Sequence, residues 1–406
     1  MKYINKNHYG GDGYLKVEEI IDKGGFGYAV KTKCEEQNLD SNSDSFTICV
    51  PGKPYVIKAL KQALNEDDVH DSTLTDPHGN KKDKPASSEV LSNEEKLLNL
   101  IAEEKKKDRI NYVNLCHNVQ TLSLTNLGIK FKEVIEKLIR EKYRSIISLE
   151  DKVFLQPRYD YNLSDILYKP NVEFVLTTGS TKKIIDDLYK GLYYLHSLDW
   201  GHFDIKPKNI MIKFDSDTDT IIAVYIDYGV CKYLKPHFDK KITTRIFRGG
   251  TLPYMAPELF EVMGGYVYSK AADIWSLGIT YCDILSSDHK NWIDNYKTSH
   301  SGYNPKIEEE ITNAWLIEYY KKKIESDDII VNGNSLSKND FLNHFFHYNI
   351  DKRMEHFNEY GTPLMSLSLS HPSSSDEKKF ETRRYSLSGG SKKRKSKKTK
   401  RRKKKY

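Results

Sequence analysis

His202-Phe203-Asp204-Ile205-Lys206-Pro207-Lys208-Asn209 follows a helical pattern that ends at Leu195-His196. The spacing of its polar residues carries a specific chemistry. Asp204 can accept the proton of an attacking hydroxyl. Lys206, two residues on, can neutralise charge on a group in flight. Asn209, five residues on, can offer an amide oxygen to a metal ion. Positioning and charge stabilisation, without a covalent intermediate, are what phosphoryl transfer requires.

Four further signals flank this loop in a fixed order. C-terminal to it, the apolar run Ile221–Ile226 ends in Asp227-Tyr228-Gly229. A carboxylate leaving a strand end suits Mg2+, which takes one or two carboxylates together with substrate phosphates; a simple strand-ending turn is the alternative. Next come Gly250-Thr251-Leu252-Pro253-Tyr254-Met255-Ala256-Pro257-Glu258 and Ala271-Ala272-Asp273-Ile274-Trp275-Ser276-Leu277-Gly278. Asp273, at a helix start, is suited to hold the backbone of the 202–209 loop or to cap its own helix. Glu258 needs a cationic partner, for which Arg353 is the candidate. N-terminal to the loop, Gly24, Gly25 and Gly27 sit between two strand patterns. Such glycines either let backbone N–H groups approach phosphate oxygens or serve an ordinary hairpin turn. Lys58 ends Val56-Ile57-Lys58 on a third strand. Glu94 shares a helix face with Leu98 and Ile101, so it is placed to meet Lys58 if both face one crevice; otherwise both are solvated surface charges.

The periodicities divide the chain. Strands are expected over Tyr14–Ile21, Tyr28–Lys33, Tyr55–Leu60 and Lys152–Gln156, with helices over Ser92–Glu104 and Phe131–Tyr143. From Lys182 onward helical patterns dominate: Lys182–Leu198, Ala271–Leu285, Ile307–Ile324 and Lys338–Tyr348. This is an α+β chain with a strand-rich first part, a mainly helical second part and a crevice between them.

The ordered set resembles the eukaryotic-type protein kinase superfamily: glycine-rich loop, strand-3 lysine, helix glutamate, catalytic loop, metal-binding aspartate and the Ala-Pro-Glu segment. The resemblance covers roughly residues 14–355. It implies the bilobal kinase fold, ATP as donor, Mg2+ as cofactor and protein substrates. On it, residues 14–158 form the small lobe with insertions at 35–54 and 65–88, and 159–360 form the large lobe. It implies that Gly24, Gly27, Ala29, Val56, Lys58, Glu94, Gln156, Arg158 and Asp227 bind the nucleotide, with Leu155 as the residue guarding the back of the adenine pocket. It implies that Asp227 and Asn209 bind the metal, and that Asp204, Lys206, Asn209 and Thr251 are catalytic. Lys206 and Thr251 match the Ser/Thr members.

Six residues depart from the family pattern. Val56 replaces the usual Ala and Ala29 the usual Val of the adenine roof, a volume-conserving swap that should still admit ATP. Asp22 stands where the first loop glycine is expected and would repel phosphates. Tyr228 replaces Phe. Lys208 occupies a position where basophilic members carry Glu, so acidic substrates should be favoured. Phe203 replaces the Arg that pairs a phosphorylated activation loop, so activity should not depend on that phosphorylation. The catalytic-loop and glycine-loop wording is most similar to the casein-kinase and vaccinia-related branch. The Asn- and Lys-rich composition and the tail are similar to proteins of giant nucleocytoplasmic DNA viruses, which would add the virion to the locations considered.

Charge is unevenly placed. Net charge is +7, yet residues 392–405 alone hold 12 Lys or Arg, so the remainder is mildly acidic. Residues 361–406 are Ser-rich, then basic, and read as a disordered tail. The tail is open to three readings: nucleic-acid binding, an import-receptor address that would bring the chain to the nucleus, or a neutral extension. No apolar run approaches the length that spans a bilayer, so no membrane partner is expected. Five scattered cysteines without a CxxC spacing read as reduced thiols in an intracellular protein. A nucleotide-gated scaffold without catalysis is the competing reading, motivated by Asp22 and Phe203.

Overall fold

The computed structural model describes residues 13–23, 27–36, 49–61, 87–106, 114–116, 119–127, 129–144, 148–215, 220–234, 241–244, 250–259, 266–286 and 317–361. The chain divides into two units, Met1–Gly361 and Thr362–Tyr406, and the described residues belong to the first. Gly24, Gly25 and the tail from Thr362 onward lie outside the described residues.

The first part is one antiparallel sheet. Its strands are β1 (Gly13–Lys23), β2 (Gly27–Glu36), β3 (Pro54–Lys61), β4 (Gln120–Ser123) and β5 (Leu149–Pro157), in the order β1-β2-β3-β5-β4. Helix α1 (Ser87–Lys106) joins β3 to β4. It begins five residues before the apolar pattern does, because its first turn, Ser87-Ser88-Glu89, has no apolar period to read. The expected insertion at 65–88 therefore gives up its last two residues to this helix.

The β4–β5 connection carries a short helix, α2 (Leu124–Leu127), and then α3 (Ile129–Tyr143). Phe131, Ile135 and Ile139 recur every fourth residue and so share one face. That face packs on Leu15, Ile20, Tyr28, Val30, Ile57, Ala59, Val153 and Leu155 of the sheet. Because side chains alternate along a strand, Ile57 and Ala59 face α3 while Val56 and Lys58 face the opposite way. Polar bonds tie both ends of α3 to the strands: Lys132 Nζ donates to Leu149 O (3.1 Å) and Lys142 Nζ to Ile20 O (2.5 Å).

Cysteine counting misjudged one pair. Cys34 and Cys49 form a disulfide, with Cα atoms 5.9 Å apart. The chain returns from the β2 end toward β3 and brings together two residues 15 apart in sequence, a proximity no spacing rule encodes. Cys116, Cys231 and Cys282 are free and buried.

The second part opens with β6 (Tyr161–Asn162) and α4 (Leu163–Tyr168). Helix α5 (Thr178–Ser197) starts four residues before its apolar pattern because Thr177 and Ser180 form a reciprocal capping box. Strand β7 (Trp200–Gly201) leads into the 202–209 loop. The hairpin β8 (Ile210–Asp215)–β9 (Thr220–Tyr225) follows, then β10 (Lys232–Tyr233), which pairs with β7. Strand β11 (Lys241–Thr244) pairs with β12 (Tyr266–Ser269). Helix α6 (Lys270–Leu285) is apolar around most of its circumference and is buried almost throughout. A hairpin of β13 (Asp328–Val331) and β14 (Asn334–Ser337) precedes α7 (Lys338–Phe345) and α8 (Ile350–Glu359). Helix α7 stops three residues short of the expected Tyr348. Residues 317–323 are helical, and the rest of the helix expected over Ile307–Ile324 lies mostly outside the described residues. Among the described residues no helix is long and apolar enough to cross a membrane.

Candidate active site

The 202–209 loop is held from beneath by one buried carboxylate. Asp273 accepts from the backbone N–H of His202 (Oδ2, 2.8 Å) and of Phe203 (Oδ1, 2.7 Å), and Oδ2 also meets His196 Nε2 at 3.0 Å. The N-cap of α6 is Ser269, so the alternative role considered for Asp273 falls away and loop anchoring remains. Phe203 takes φ +60° and Asp227 φ +64°. Non-glycine residues adopt this left-handed form at a cost, and it persists where surroundings enforce it.

Anchoring turns Asp204 into a cluster of donors. Its Oδ1 accepts from Thr251 Oγ1 (2.7 Å), and its Oδ2 accepts from Lys206 Nζ (2.7 Å) and Asn209 Nδ2 (2.9 Å). Lys206 Nζ also reaches Thr251 Oγ1 at 2.6 Å. Thr251 comes from 42 or more residues downstream of the loop. It is positioned by the turn bond Tyr254 N–H to Thr251 O (2.8 Å) and by Ser276 Oγ donating to Tyr254 O (2.6 Å). His202 is fully buried. Its Nδ1 accepts from the Asp204 amide, which leaves Nε2 to donate to Ile226 O at 3.1 Å. One imidazole thus joins the backbone of the 202–209 loop to the segment carrying Asp227.

Lys58 bridges the two parts of the fold. Its Nζ donates to Glu94 Oε1 and Oε2, both at 2.7 Å, and to Asp227 Oδ1 at 2.6 Å. Burial alone would lower its pKa, but the carboxylates of Asp227 and Glu94 outweigh burial and raise it. Burial raises the Asp227 carboxyl in turn, yet Lys58 beside it brings the value down to about 2. Asp227 is therefore ionised at any working pH. The solvated-surface alternative for Lys58 and Glu94 is removed, since Glu94 is 3% exposed.

The remaining residues expected at a nucleotide site are placed by strand register. Ala29 pairs with Lys58, and Val56 pairs with Gln156, so these four share the sheet face opposite α3. Leu155 does not. It belongs to the core under α3, which corrects its expected place at the back of the adenine pocket; a side chain one position along a strand points to the other face. Gln156 takes the crevice-facing position, with Cys116 Sγ 3.6 Å from its Oε1. The Arg158 amide lies just beyond the end of β5 and is directed at Pro54 O, 3.4 Å away. Gly27 lacks a side chain for a packing reason, because a Cβ there would lie 2.3 Å from Ala59 O.

Three features escaped sequence reasoning. Asp22 and Lys208, both departures from the family pattern, form an ion pair with Nζ and Oδ2 2.9 Å apart. The Tyr228 hydroxyl is fully hydrogen-bonded inside the protein. Phe203 packs its ring edge-on against Tyr268, centroids 5.0 Å apart, and Lys232 lies over the other ring at 4.4 Å. The expected Glu258–Arg353 pair is present and bidentate, at 2.9 and 3.2 Å.

Residues 101–362 match the protein kinase domain family, and the chain belongs to it. The match begins within α1, so Lys58 and Glu94 rest on the geometry above. The chain is 31% identical over 162 residues to the serine/threonine-protein kinase ksp1 of Schizosaccharomyces pombe, covering 37% of this chain and 33% of that protein. It is 42% identical over 109 residues to the serine/threonine-protein kinase cst-1 of Caenorhabditis elegans, covering 27% and 20%. It is 31% identical over 133 residues to cyclin-dependent kinase E-1 of Arabidopsis thaliana, covering 31% and 26%. These matches span a third or less of the length of each relative.

Proposed function

We propose that this chain transfers the γ-phosphoryl group of ATP to Ser or Thr hydroxyls of protein substrates. The observation that carries it is the joint placement of Asp204, Lys206, Asn209, Thr251 and Asp227 on one side of the crevice and of Lys58 and Glu94 on the other, with Lys58 bonded across it to Asp227. Asp204 orients the acceptor hydroxyl and takes its proton. Thr251, bonded to the same carboxylate, favours a short hydroxyl side chain at that point. Lys206 offsets charge on the moving group, and Lys58 faces the phosphates. The donors fit Mg2+: Asp227 is an ionised carboxylate, and Asn209 spends its Nδ2 on Asp204, which leaves Oδ1 as the oxygen for a cation. Bound there, the ion would neutralise phosphate charge. Peptide-array phosphorylation with labelled ATP tests the reading. Ser and Thr peptides should be labelled by the native chain, and Asp204→Asn should remove the label. An Asp204→Asn variant as active as the native chain would leave the scaffold reading standing.

Activity is expected without phosphorylation of the activation segment. In place of a cation at position 203, an aromatic ring packs on Tyr268 of β12, and β12 in turn pairs with β11 of that segment. Phosphatase-treated protein should retain most of its activity; a tenfold loss restored by rephosphorylation would refute this. The basic run Lys392–Lys405 supports either salt-sensitive binding to nucleic-acid backbones or recognition by an import receptor.

A further inference from the structure

Three elements meet in one stack of side chains beside the 202–209 loop. Phe203 supplies the first ring, buried and carried on a left-handed backbone. The ring fills space that Gly201 of β7 leaves open, since a Cβ at 201 would lie 2.5 Å from two of its carbons. Tyr268 of β12 supplies the second ring, also buried and edge-on to the first at 5.0 Å. Lys232 of β10 completes the stack, with Nζ 4.4 Å from the Tyr268 centroid. Register holds β10 there: Lys232 lies opposite Gly201, Tyr233 opposite Trp200, and Leu234 N–H donates to Asp199 O at 2.7 Å. Among the described residues the Lys232 ammonium has no carboxylate partner. The titratable groups about it are the Tyr268 phenol and the Cys231 thiol, which burial pushes well above its ordinary range and keeps neutral. Asp199 and Lys270, on the flanking elements, are paired with each other at 2.7 Å. The ammonium therefore faces the electron-rich side of the Tyr268 ring, an attraction that strengthens as water is excluded. Burial lowers its pKa to about 8, so the charge is present at neutral pH and is lost as pH rises past that value.

We propose that Lys232, Tyr268 and Phe203 form a cation–aromatic clamp that positions the 202–209 loop without a phosphate group. Phe203 is the grip on the loop: its amide donates to Asp273 Oδ1 at 2.7 Å, and Asp204 is the next residue. Tyr268 carries the hold to β12 and, through the register pairs Tyr268–Ile242 and Val267–Thr243, to β11. Lys232 acts through Tyr268 and is a positioning residue. A methionine at 232 would keep the bulk and lose the charge. An arginine would keep a charge that also stacks on rings. Loss of a partly desolvated contact of this kind shifts an equilibrium by about tenfold.

The proposal rests on the kinase reading above, and one arm of its test needs no turnover, so the two can fail separately. Phosphatase-treated native chain, Lys232→Met and Lys232→Arg are compared in peptide phosphorylation at about pH 7 and about pH 9, on either side of the lysine's value. At the lower pH, Lys232→Met should reduce kcat about tenfold with KM for ATP unchanged, and Lys232→Arg should retain it. At the higher pH the native chain should fall toward the Met variant, while the Arg variant, charged throughout, should not. A Met variant within about twofold of the native chain, an Arg variant as slow as the Met variant, or identical pH profiles of the native and Arg proteins would each overturn the clamp. Should Lys232→Met not fold, those two pH profiles decide. Should the native chain label no peptide, the kinase reading fails and amide hydrogen exchange decides. Exchange over Trp200–Asp204 should then rise about tenfold in Lys232→Met while α6, which reports the fold, is unchanged; equal exchange over Trp200–Asp204 in the two proteins overturns the clamp.

Discussion

The Asp204 carboxylate has three side-chain partners, Thr251, Lys206 and Asn209, and the Lys58–Asp227 pair adds two further handles on rate. Replacing Lys58 by Met or Asp227 by Asn should lower peptide phosphorylation by about 10²–10³ or more, the scale of losing one charge-stabilising group. Circular dichroism should show the fold retained, and a loss below tenfold would remove that residue from the site. Asp227 also sets an acid limit. Its folded pKa of about 2 lies below the ordinary carboxylate value, so its contribution to stability is complete above about pH 4 and is lost as pH falls through 2. Asp227→Asn should therefore flatten acid unfolding between those values, as read by fluorescence. Asp22 and Lys208 change the substrate prediction. A lone Lys208 would attract acidic peptides, but Asp22 partly neutralises it. The pair is half-exposed and adds little stability; its effect belongs to specificity. Asp22→Asn should raise the kcat/KM ratio of acidic over neutral peptides severalfold, and Lys208→Glu should reverse it. An unchanged ratio in both would remove the pair from substrate selection.

Helix α3 covers one face of the small-lobe sheet. Ile135, fully buried between α3 and the sheet, offers a direct measure of what this helix contributes. Ile135→Ala should destabilise by about 2–5 kcal/mol, the range for deleting a buried aliphatic side chain, in urea titration. A cost under about 1 kcal/mol, the size of a surface substitution, would mean that α3 does not share the core. The same helix reaches the glycine hairpin, since Tyr143 stacks near Tyr28 (5.7 Å) and Lys23 lies over the Tyr143 ring. Near the C-terminal end of β2 the Cys34–Cys49 bridge closes the β2–β3 connection. Thiol titration of denatured, unreduced protein should find three cysteines, rising to five on reduction. Five before reduction would exclude the bridge. Closing a loop of this size stabilises by about 3 kcal/mol, so reduction should lower the midpoint of unfolding.

At the scale of the whole molecule, every contact of the candidate site described above lies before Gly361, where Gly361 packs on Tyr193 and Tyr189. A chain ending at Gly361 should keep peptide kinase activity. It should lose retention on a DNA column at about 50 mM salt, where contacts to phosphates are strong. Equal retention of the two chains would leave import or neutrality for the basic run. The large lobe in turn depends on Arg353, which is fully buried and joins Glu258 to the Ala271 and His347 carbonyls. The sequence offers this pair as a candidate, but Arg353 stands among the charged neighbours Asp351, Lys352 and Glu355, and packing decides that it is buried. The register of β5 could not be read from the sequence: the apolar run Val153-Phe154-Leu155 has no alternation to tell which side faces α3, and Leu155 was placed on the wrong one.

Sequence alone was enough for the family and the two-part architecture, and it singled out Lys58, Glu94, Asp204, Lys206, Asn209, Asp227 and Thr251, which the fold brings together at one crevice. These residues are legible because the chemistry expected of them places particular functional groups at short, fixed separations along loops and strand ends. Tertiary structure decided the rest: the Asp22–Lys208 pair, the Tyr228 hydroxyl bonds, the Phe203–Tyr268 packing and the Cys34–Cys49 bridge. Each joins residues whose partner is set by how elements pack, and side-chain identity carries no record of a neighbour 186 residues away, the distance along the chain from Asp22 to Lys208.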